Sequence, residues 1–281
     1  MPRATVSLPS LLSAAAAADG AVGAFNVVLL EHAEAIVTGA ERANLPVILQ
    51  ISENCIRYHG SAAPIVLAAR AAAAAAKVPV AVHLDHVEDV SLVKEGIRLQ
   101  VDSIMFDGSG RPDDENLSVT AEMVALCHEA GISVEAELGR IGGKGGAHDL
   151  GVRTDPDEAR LFVEQTGVDA LAVAVGTSHA MTTRSTTVDQ ELIRLLHTAV
   201  AVPLVLHGSS GLSDDELRAA VDAGMRKVNV STHLNSHFTR ALRRALADDP
   251  DAVDPRRYIA PARDEFASEV ARLLRLLAMP M

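Results

Sequence analysis

Eight short apolar runs recur along this chain, separated by stretches with helical periodicity. Most of these runs are apolar almost throughout, which is typical of parallel strands that helices cover on both faces. The predicted strands are Val22–Val27, Val47–Ile51, Val80–Leu84, Ser103–Phe106, Ser133–Glu137, Ala170–Val175, Leu204–His207 and Lys227–Val230. Eight strands that alternate with helices predict an α/β fold, a closed (β/α)8 TIM barrel, as a single domain over residues 1–281.

Some of the predicted helices have readable ends. Ser213 to Glu216 form a capping box, and Asp155-Pro156 places a cap before a proline at the first helical position. Beyond Thr232 the pattern predicts extra C-terminal helices, joined at Asp248–Pro255. A doubly wound open sheet is the alternative fold, but it requires a glycine fingerprint after the first strand, and none follows Val27.

Composition narrows the classes of function. The chain carries a formal net charge of −12, which argues against a nucleic-acid partner because phosphate backbones require a basic face. No apolar run approaches the roughly 20 residues of a membrane span. Cys55 and Cys127 form neither a disulfide framework nor a paired metal motif. We therefore predict a cytoplasmic protein that binds neither nucleic acid nor membrane.

Nearly every predicted strand is followed by a polar residue. In a TIM barrel the C-terminal ends of all strands face one mouth, where catalytic groups collect. The residues at these ends are Asn26, Ser52, Asp85, His86, Asp107, Glu137, His179, His207, Gly208 and Asn229. Their shared position predicts one functional site at the mouth of the barrel.

Three of these residues, His86, His179 and His207, are histidines from three different strand ends. Three neutral imidazoles with an open fourth position form a catalytic zinc site. His83 lies on the same strand face as Asp85 and could orient a ligand. The residues alone leave three roles open for Asp85, namely metal ligand, orienting group and general acid or base.

Two further segments favour an anion site. Residues 208–211 follow the seventh strand with the sequence Gly-Ser-Ser-Gly, and residues 229–232 end the eighth strand. The loops after these two strands commonly form the phosphate cradle of a TIM barrel, built from backbone amides.

Taken together, the motifs resemble the class II fructose-bisphosphate/tagatose-bisphosphate aldolase family. The resemblance runs in the family's order from about Ser10 to the last helix. The segments that carry it are Gly23-Ala24-Phe25-Asn26, His83-Leu84-Asp85-His86, Glu135-Ala136-Glu137-Leu138-Gly139, Gly176-Thr177-Ser178-His179, Leu206-His207-Gly208-Ser209-Ser210-Gly211 and Lys227-Val228-Asn229-Val230.

The resemblance implies a lyase that splits a ketose phosphate into dihydroxyacetone phosphate and an aldehyde, with zinc (Zn2+) as cofactor. It implies that His86, His179 and His207 bind the zinc and that Asp85 is the acid/base for the substrate hydroxyl. A monovalent cation is a further candidate cofactor, and a homodimer or homotetramer is the expected assembly. The implied substrate-binding residues are Asn26, Ser52, Gly208, Ser210, Asn229, Ser231 and Thr232, and the implied second metal position is Asp107 with Glu137.

The chain also departs from the family pattern. The family carries glutamates on a mobile loop, one of which removes the carbon-bound proton, where this chain reads Lys144 to Asp149. Three alternatives stay open: Asp149 or His148 replaces that glutamate, another group performs the proton step, or the substrate differs. Ala180 replaces a glycine after the second histidine, and Arg184 is a candidate substitute phosphate clamp.

Two other functions stay open. A non-catalytic sugar-phosphate-binding or assembly subunit would explain the altered loop, although it would not explain the retained Asp85 and histidines. A zinc hydrolase on a barrel would carry a His-x-His pair on the first strand, which Val22–Val27 lacks. Lys144 and Lys227 are the candidate nucleophiles for a rival Schiff-base mechanism, but neither has its supporting groups.

Overall fold

The computed structural model describes residues 7–139, 153–179 and 181–278. Eight parallel strands close into a barrel in chain order, and β8 pairs with β1. The strands are β1 Val22–Asn26, β2 Val47–Ser52, β3 Val80–Val87, β4 Ser103–Phe106, β5 Ser133–Leu138, β6 Ala170–Val173, β7 Leu204–Leu206 and β8 Met225–Val230. The predicted TIM barrel is therefore confirmed, with strand ends shifted by up to three residues.

Helices follow the strands and surround the barrel. The described helices are α1 Leu8–Ala17, α2 Leu30–Ala43, α3 Glu53–His59, α4 Ala62–Ala75, α5 Val90–Arg98, α6 Asp113–Glu129, α7 Pro156–Thr166, α8 Gln190–Ala199, α9 Asp214–Ala223, α10 Thr232–Asp248 and α11 Pro255–Leu277. The extra C-terminal helices α10 and α11 are present as predicted, and α11 packs against α2 and α10. Within the described ranges, no helix has the length and apolarity needed to span a membrane.

The predicted helix caps are also observed. The Ser213 side chain accepts a hydrogen bond from the Glu216 amide (3.2 Å) at the start of α9. The Asp155 carboxylate accepts the amides of Asp157 (2.9 Å) and Glu158 (3.1 Å) at the start of α7. Each cap satisfies backbone donors that have no partner inside the helix.

The barrel interior changes from apolar to polar along the strands. At the N-terminal end, Leu8 and Leu12 of α1 pack against inward-facing strand residues such as Ala24, Ile48 and Ala81. Two residues further along the strands, where the side chains point to the same face, the barrel interior becomes polar. The buried side chains of this layer are Gln50, His83, Ser103, Glu135 and Lys227. The apolar end is closed by α1, so the polar end is the one that opens to the mouth.

The end of β3 differs from the prediction. The strand was expected to stop at Leu84, but it continues to Val87 with a register shift between those two residues. His86 occupies the shift with a left-handed φ of +51°, which is uncommon for a residue with a side chain. In a regular strand, Asp85 and His86 would point to opposite faces, whereas this bulge turns both toward the mouth.

Candidate metal centre and active site

The three strand-end histidines converge at the mouth of the barrel. Ring centroids are 5.1 Å apart for His86 and His179, 4.7 Å for His86 and His207, and 5.8 Å for His179 and His207. One ring nitrogen of each lies within 4.8 Å of the other two. The bulge of β3, the segment after β6 and the end of β7 supply them. The arrangement has the ligand types and spacing that can hold a divalent metal ion.

Neighbouring carboxylates fix the proton positions on two of these rings. His207 Nε2 lies 3.0 Å from Glu135 Oε1, so it donates to that carboxylate and leaves Nδ1 as an acceptor. His86 Nδ1 lies 2.8 Å from Asp107 Oδ2, so the acceptor of that ring is Nε2. The two acceptor nitrogens face each other at 3.0 Å.

Facing lone pairs at this distance require a positive charge between them. A proton is disfavoured, because burial holds the pKa of His207 well below its usual value and the neighbouring His86 lowers it further. A metal ion satisfies both nitrogens at once, and zinc is suited to such neutral imidazole ligands. The residues present therefore fit a zinc ion.

The side-chain amide nitrogen of Asn229 lies 3.0 Å from the same His207 Nε2. Asn229 therefore packs against the edge of the ring that faces Glu135.

Beneath His207 lies a buried ion pair that the sequence analysis missed. Lys227 Nζ is 2.6 Å from Glu135 Oε2, and both side chains are fully buried. The Lys227 ammonium also lies 3.5 Å from His83 Nε2, while His83 Nδ1 donates to Ser103 Oγ (2.7 Å). Burial, followed by the charge of Lys227, holds the pKa of His83 well below its usual value. His83 does lie on the interior side of β3, as predicted.

This network removes Lys227 from consideration as a nucleophile. Its ammonium is committed to the Glu135 carboxylate inside the barrel, and imine formation requires a free amine. The contribution of Glu135 had a signal in the sequence, since it lies two residues before Glu137 and shares its strand face. The sequence did not show that Lys227 would lie opposite Glu135 across the barrel.

Asp85 points to the mouth beside the histidines. The side chain is buried, and Oδ1 lies 3.9 Å from His86 Nε2. Among the described residues, Oδ1 has no hydrogen-bond partner. A buried carboxylate oxygen without a partner is costly, so this atom is positioned to accept a proton or hydrogen bond from a bound molecule.

Asp107 and Glu137 lie beside His86, as the predicted second metal position requires. The three residues have ligand atoms within 4.8 Å of one another. Asp107 Oδ1 accepts the Ser109 hydroxyl (2.6 Å), and Glu137 Oε2 is 3.9 Å from His86 Nδ1. His86 Nδ1 donates to Asp107, so it cannot simultaneously bind a second metal through that nitrogen.

Next to the histidines is a small polar pocket. Its lining residues are Asn26, His179, Gly208, Ser210, Asn229, Ser231 and Thr232. Gly208 has φ +66°, and a Cβ there would lie 2.8 Å from the backbone of Ser178, so only glycine fits. The Ser210 hydroxyl oxygen accepts the His233 amide (3.3 Å) from the first turn of α10. Backbone amides, a helix N-terminus and hydroxyls are the kinds of group that can bind an anion.

Ser52 lies apart from this pocket. Its hydroxyl accepts the Cys55 amide (3.2 Å) as the N-cap of α3, and its backbone is in register with Asp85 on the adjacent strand. Asn26 is at the pocket, where its Oδ1 accepts from Gln50 Nε2 (3.3 Å). Gln50 is a buried inward-facing residue that the sequence analysis did not single out.

Arg184, the candidate phosphate clamp, is paired with protein groups in the structure. Its guanidinium donates to the Leu212 carbonyl and to Asp214 Oδ1 (2.7 Å), and the residue does not line the pocket. The carboxylate that binds the Arg184 guanidinium belongs to Asp214, at the start of α9. The candidate loop residues Lys144, His148 and Asp149, and Ala180, lie outside the described residues.

Other histidines also have positions in the structure. His128 lies on α6 and contacts Asp169 (2.9 Å), and His197 lies on α8. His233 and His237 of α10 form a second cluster with Glu269 of α11.

Comparisons with known proteins point in one direction. The family model of class-II fructose-bisphosphate aldolase matches residues 6–279. The D-tagatose-1,6-bisphosphate aldolase subunit GatY of Klebsiella oxytoca is 36% identical over 277 residues, 96% of each chain. A fructose-bisphosphate aldolase of Geobacillus stearothermophilus is 35% identical over 274 residues, also 96% of each chain. A solved structure of a putative fructose-1,6-bisphosphate aldolase from Coccidioides immitis has a TM-score of 0.86 at 30% identity, covering 96% of this chain and 95% of that one.

The histidine cluster makes a direct prediction about metal binding. His179→Ala and His207→Ala should each abolish zinc binding, because each removes one of three converging ligands. His128→Ala and His197→Ala are the matched controls and should retain zinc, since both residues lie on outer helices. Elemental analysis after dialysis measures the zinc content. A normal content in either His179→Ala or His207→Ala would show that the ligand set is wrong.

The buried ion pair makes a second prediction. Glu135→Gln should weaken zinc affinity by about 10- to 100-fold, because an amide no longer enforces the proton position on His207. Competition with a chromophoric chelator measures the affinity. Ser103→Ala, which removes a bond at the far end of the same network, should bind zinc nearly as the wild type does. Unchanged affinity in Glu135→Gln would mean that His207 is oriented by other contacts.

Proposed function

The chain belongs to the class-II fructose-bisphosphate aldolase family and is a class-II aldolase, and on that premise we propose that it reversibly cleaves a ketose phosphate into dihydroxyacetone phosphate and an aldehyde. Fructose 1,6-bisphosphate and tagatose 1,6-bisphosphate are the candidate substrates, because two relatives carry those names. The observation that carries the proposal is the convergence of three histidines, the Asp85 carboxylate and an anion pocket at one barrel mouth.

Class-II aldolases depend on zinc, and His86, His179 and His207 are the residues that would hold it here. When bound, the ion supplies Lewis-acid charge that stabilises negative charge on the substrate oxygen. Glu135 and Asp107 keep two of the ligand rings in the required tautomer. Asp107 and Glu137 remain a proposed second position for a metal.

Asp85 would move the proton of the substrate hydroxyl during carbon–carbon cleavage. Its buried Oδ1 has no partner among the described residues, so it can accept that proton without first losing another bond. The adjacent bulge at His86 brings this carboxylate and the ligand ring to the same side of β3. A direct ligand role would instead place the Asp85 carboxylate in the open fourth position beside the three histidines.

The pocket beside His179 would hold the phosphate of dihydroxyacetone phosphate. Ser210 accepts the His233 amide, so its own hydroxyl proton remains available for the anion. Thr232 begins α10, and the amides of a helix N-terminus favour negative charge. No Lys or Arg side chain is among the lining residues of this pocket in the described part of the chain. Amides and hydroxyls would therefore bind the phosphate without a cationic side chain, and a monovalent cation is a candidate supplement.

A second candidate is a non-catalytic subunit of an aldolase complex. It is favoured by the name of one relative, which describes an aldolase subunit. It gives no role to the buried Asp85 oxygen, which has no hydrogen-bond partner among the described residues, since a binding subunit needs no proton carrier. We therefore place the catalytic reading first, and we propose a homodimer or homotetramer as the assembly.

An assay of the purified protein tests the function. Zinc-loaded protein supplied with fructose or tagatose 1,6-bisphosphate should release triose phosphate, measured with coupled triose-phosphate enzymes. A chelator should remove the activity and zinc should restore it, because the ketone oxygen requires the metal's charge. Borohydride with substrate should cause no inactivation. Covalent trapping on a lysine, or a zinc-loaded protein inert toward the whole ketose panel, would contradict the proposal.

The role of Asp85 makes a sharper prediction. Asp85→Ala should retain zinc yet lose cleavage by about 10²- to 10⁴-fold, the usual contribution of one proton-transfer group. Exchange of the carbon-bound proton of dihydroxyacetone phosphate should survive, because the candidate group for that step lies on the loop at 143–149, outside the described residues. Zinc analysis and proton exchange followed by NMR measure the two properties. Loss of zinc from Asp85→Ala would show that Asp85 is a ligand instead.

A further inference from the structure

A second cluster of titratable residues lies behind the phosphate pocket. His233 and His237 project from α10 toward Glu269 of α11. His233 Nε2 is 2.7 Å from Glu269 Oε1, and His237 Nε2 is 4.0 Å from the same oxygen. The residue types match a divalent metal site, so the charges around them decide what the cluster does.

Those charges disfavour a metal ion. Arg272 donates to both oxygens of Glu269, through Nε at 2.9 Å and a terminal nitrogen at 2.7 Å. Arg240 lies 2.9 Å from His237 Nδ1. A divalent cation would have to enter beside two guanidinium groups and displace one from its carboxylate. The cluster is therefore an ion-pair junction that is already satisfied by protein groups.

This junction reaches the phosphate pocket along two routes. The first runs through His233, whose side chain binds Glu269 while its main-chain amide donates to Ser210 Oγ (3.3 Å). The second runs through Arg272, which also binds Asp214 Oδ2 at 2.5 Å. Asp214 begins α9, immediately after the turn at 208–213 that contains Ser210. Glu269 thus connects to both sides of that turn.

Glu269, the central residue of this junction, keeps its negative charge. Burial alone would raise the pKa of Glu269, but hydrogen bonds from His233 and Arg272 and the charge of Arg272 outweigh it and lower the pKa to about 2. Glu269 is therefore ionised at neutral pH. Its bonds fix where the first turn of α10 lies relative to the Ser210 turn.

We propose that Glu269 is a positioning residue for anion binding, holding the Ser210 turn and the N-terminus of α10 in register without touching the anion. The inference rests on the proposed function, in which this pocket binds the substrate phosphate. Since amides and hydroxyls bind the phosphate there, small displacements of these donors weaken every bond to it. Of the acidic residues of α11, Glu269 alone would then affect the phosphate affinity of the pocket.

Titration of the zinc-loaded protein with inorganic phosphate, followed by calorimetry, tests this. Glu269→Gln should bind phosphate about tenfold more weakly, the loss expected when one charge-assisted hydrogen bond is misaligned. Zinc content should stay at the wild-type level. In turnover assays the variant should have a higher KM and nearly the same kcat. The reason is that the remote phosphate is bound more weakly to the same extent in the ground state and in the transition state.

Glu265→Gln is the matched control. Glu265 lies one turn earlier on α11 and accepts from Arg240 and Arg244 of α10, both at 2.9 Å, and it lies 3.4 Å from His237 Nδ1. Its loss therefore loosens the same helix pair but leaves the bond between Glu269 and His233 in place. It should bind phosphate as the wild type does. His233→Phe is the second variant, because it keeps the main-chain amide but loses the bond to Glu269, and it should weaken phosphate binding like Glu269→Gln.

The possible failures are distinguishable. Wild-type phosphate affinity in both Glu269→Gln and His233→Phe would overturn the inference and leave the proposed function standing. An equal loss in Glu265→Gln would also overturn it, by showing general loosening of α10 and α11. A second zinc equivalent in the wild type that Glu269→Gln lacks would show a metal site instead. A wild type that binds no phosphate would overturn the proposed phosphate site, and this inference with it.

Discussion

The contact on which the site depends is the hydrogen bond from His207 to Glu135, supported by the buried ammonium of Lys227. Transferring two charges from water into the barrel interior carries a desolvation penalty that their attraction often fails to offset. The same space filled with apolar side chains would serve stability equally well or better. What the pair provides is an ionised acceptor at a fixed position, and that acceptor forces the His207 proton onto Nε2. The nitrogen facing His86 is thereby left as an acceptor for a metal.

The barrel supplies the remaining constraints through its periodicity. Inward positions on each strand recur every two residues, so one strand can present an apolar residue at the closed end and polar ones toward the mouth. On β5 this places Glu135 under the site and Glu137 at its edge. The periodicity fails where two consecutive residues must both face the mouth, at Asp85 and His86. The bulge at the end of β3 resolves that conflict, at the cost of a left-handed φ for His86.

Much of this was predictable from the chain, and the reason is local. Strand runs, caps and the polar residues after each strand are short-range patterns, and closure of the barrel then brings distant strand ends together, so His86, His179 and His207 could be grouped before the fold was known. Contacts across the barrel or between helices could not be anticipated, because no local pattern encodes them. Lys227 opposite Glu135 is one case. Arg184 is another, since its capture by Asp214 depends on where α9 begins relative to the segment after β6.

A chain with a net charge of −12 can still bind an anion, because the binding depends on the orientation of donors rather than on total charge. A lysine or arginine clamp tolerates misplacement, since a flexible cation can follow its partner. A cradle of amides and hydroxyls cannot do so, because hydrogen bonds weaken steeply with angle and the donors are fixed to the backbone. The anion affinity of such a pocket therefore depends on the contacts that hold its backbone segments in position. In this protein those segments are the turn at 208–213 and the start of α10, and the described contacts that join them lead to the terminal helix. Under the proposed function, α11 thus influences recognition although none of its residues is among those that line the described pocket.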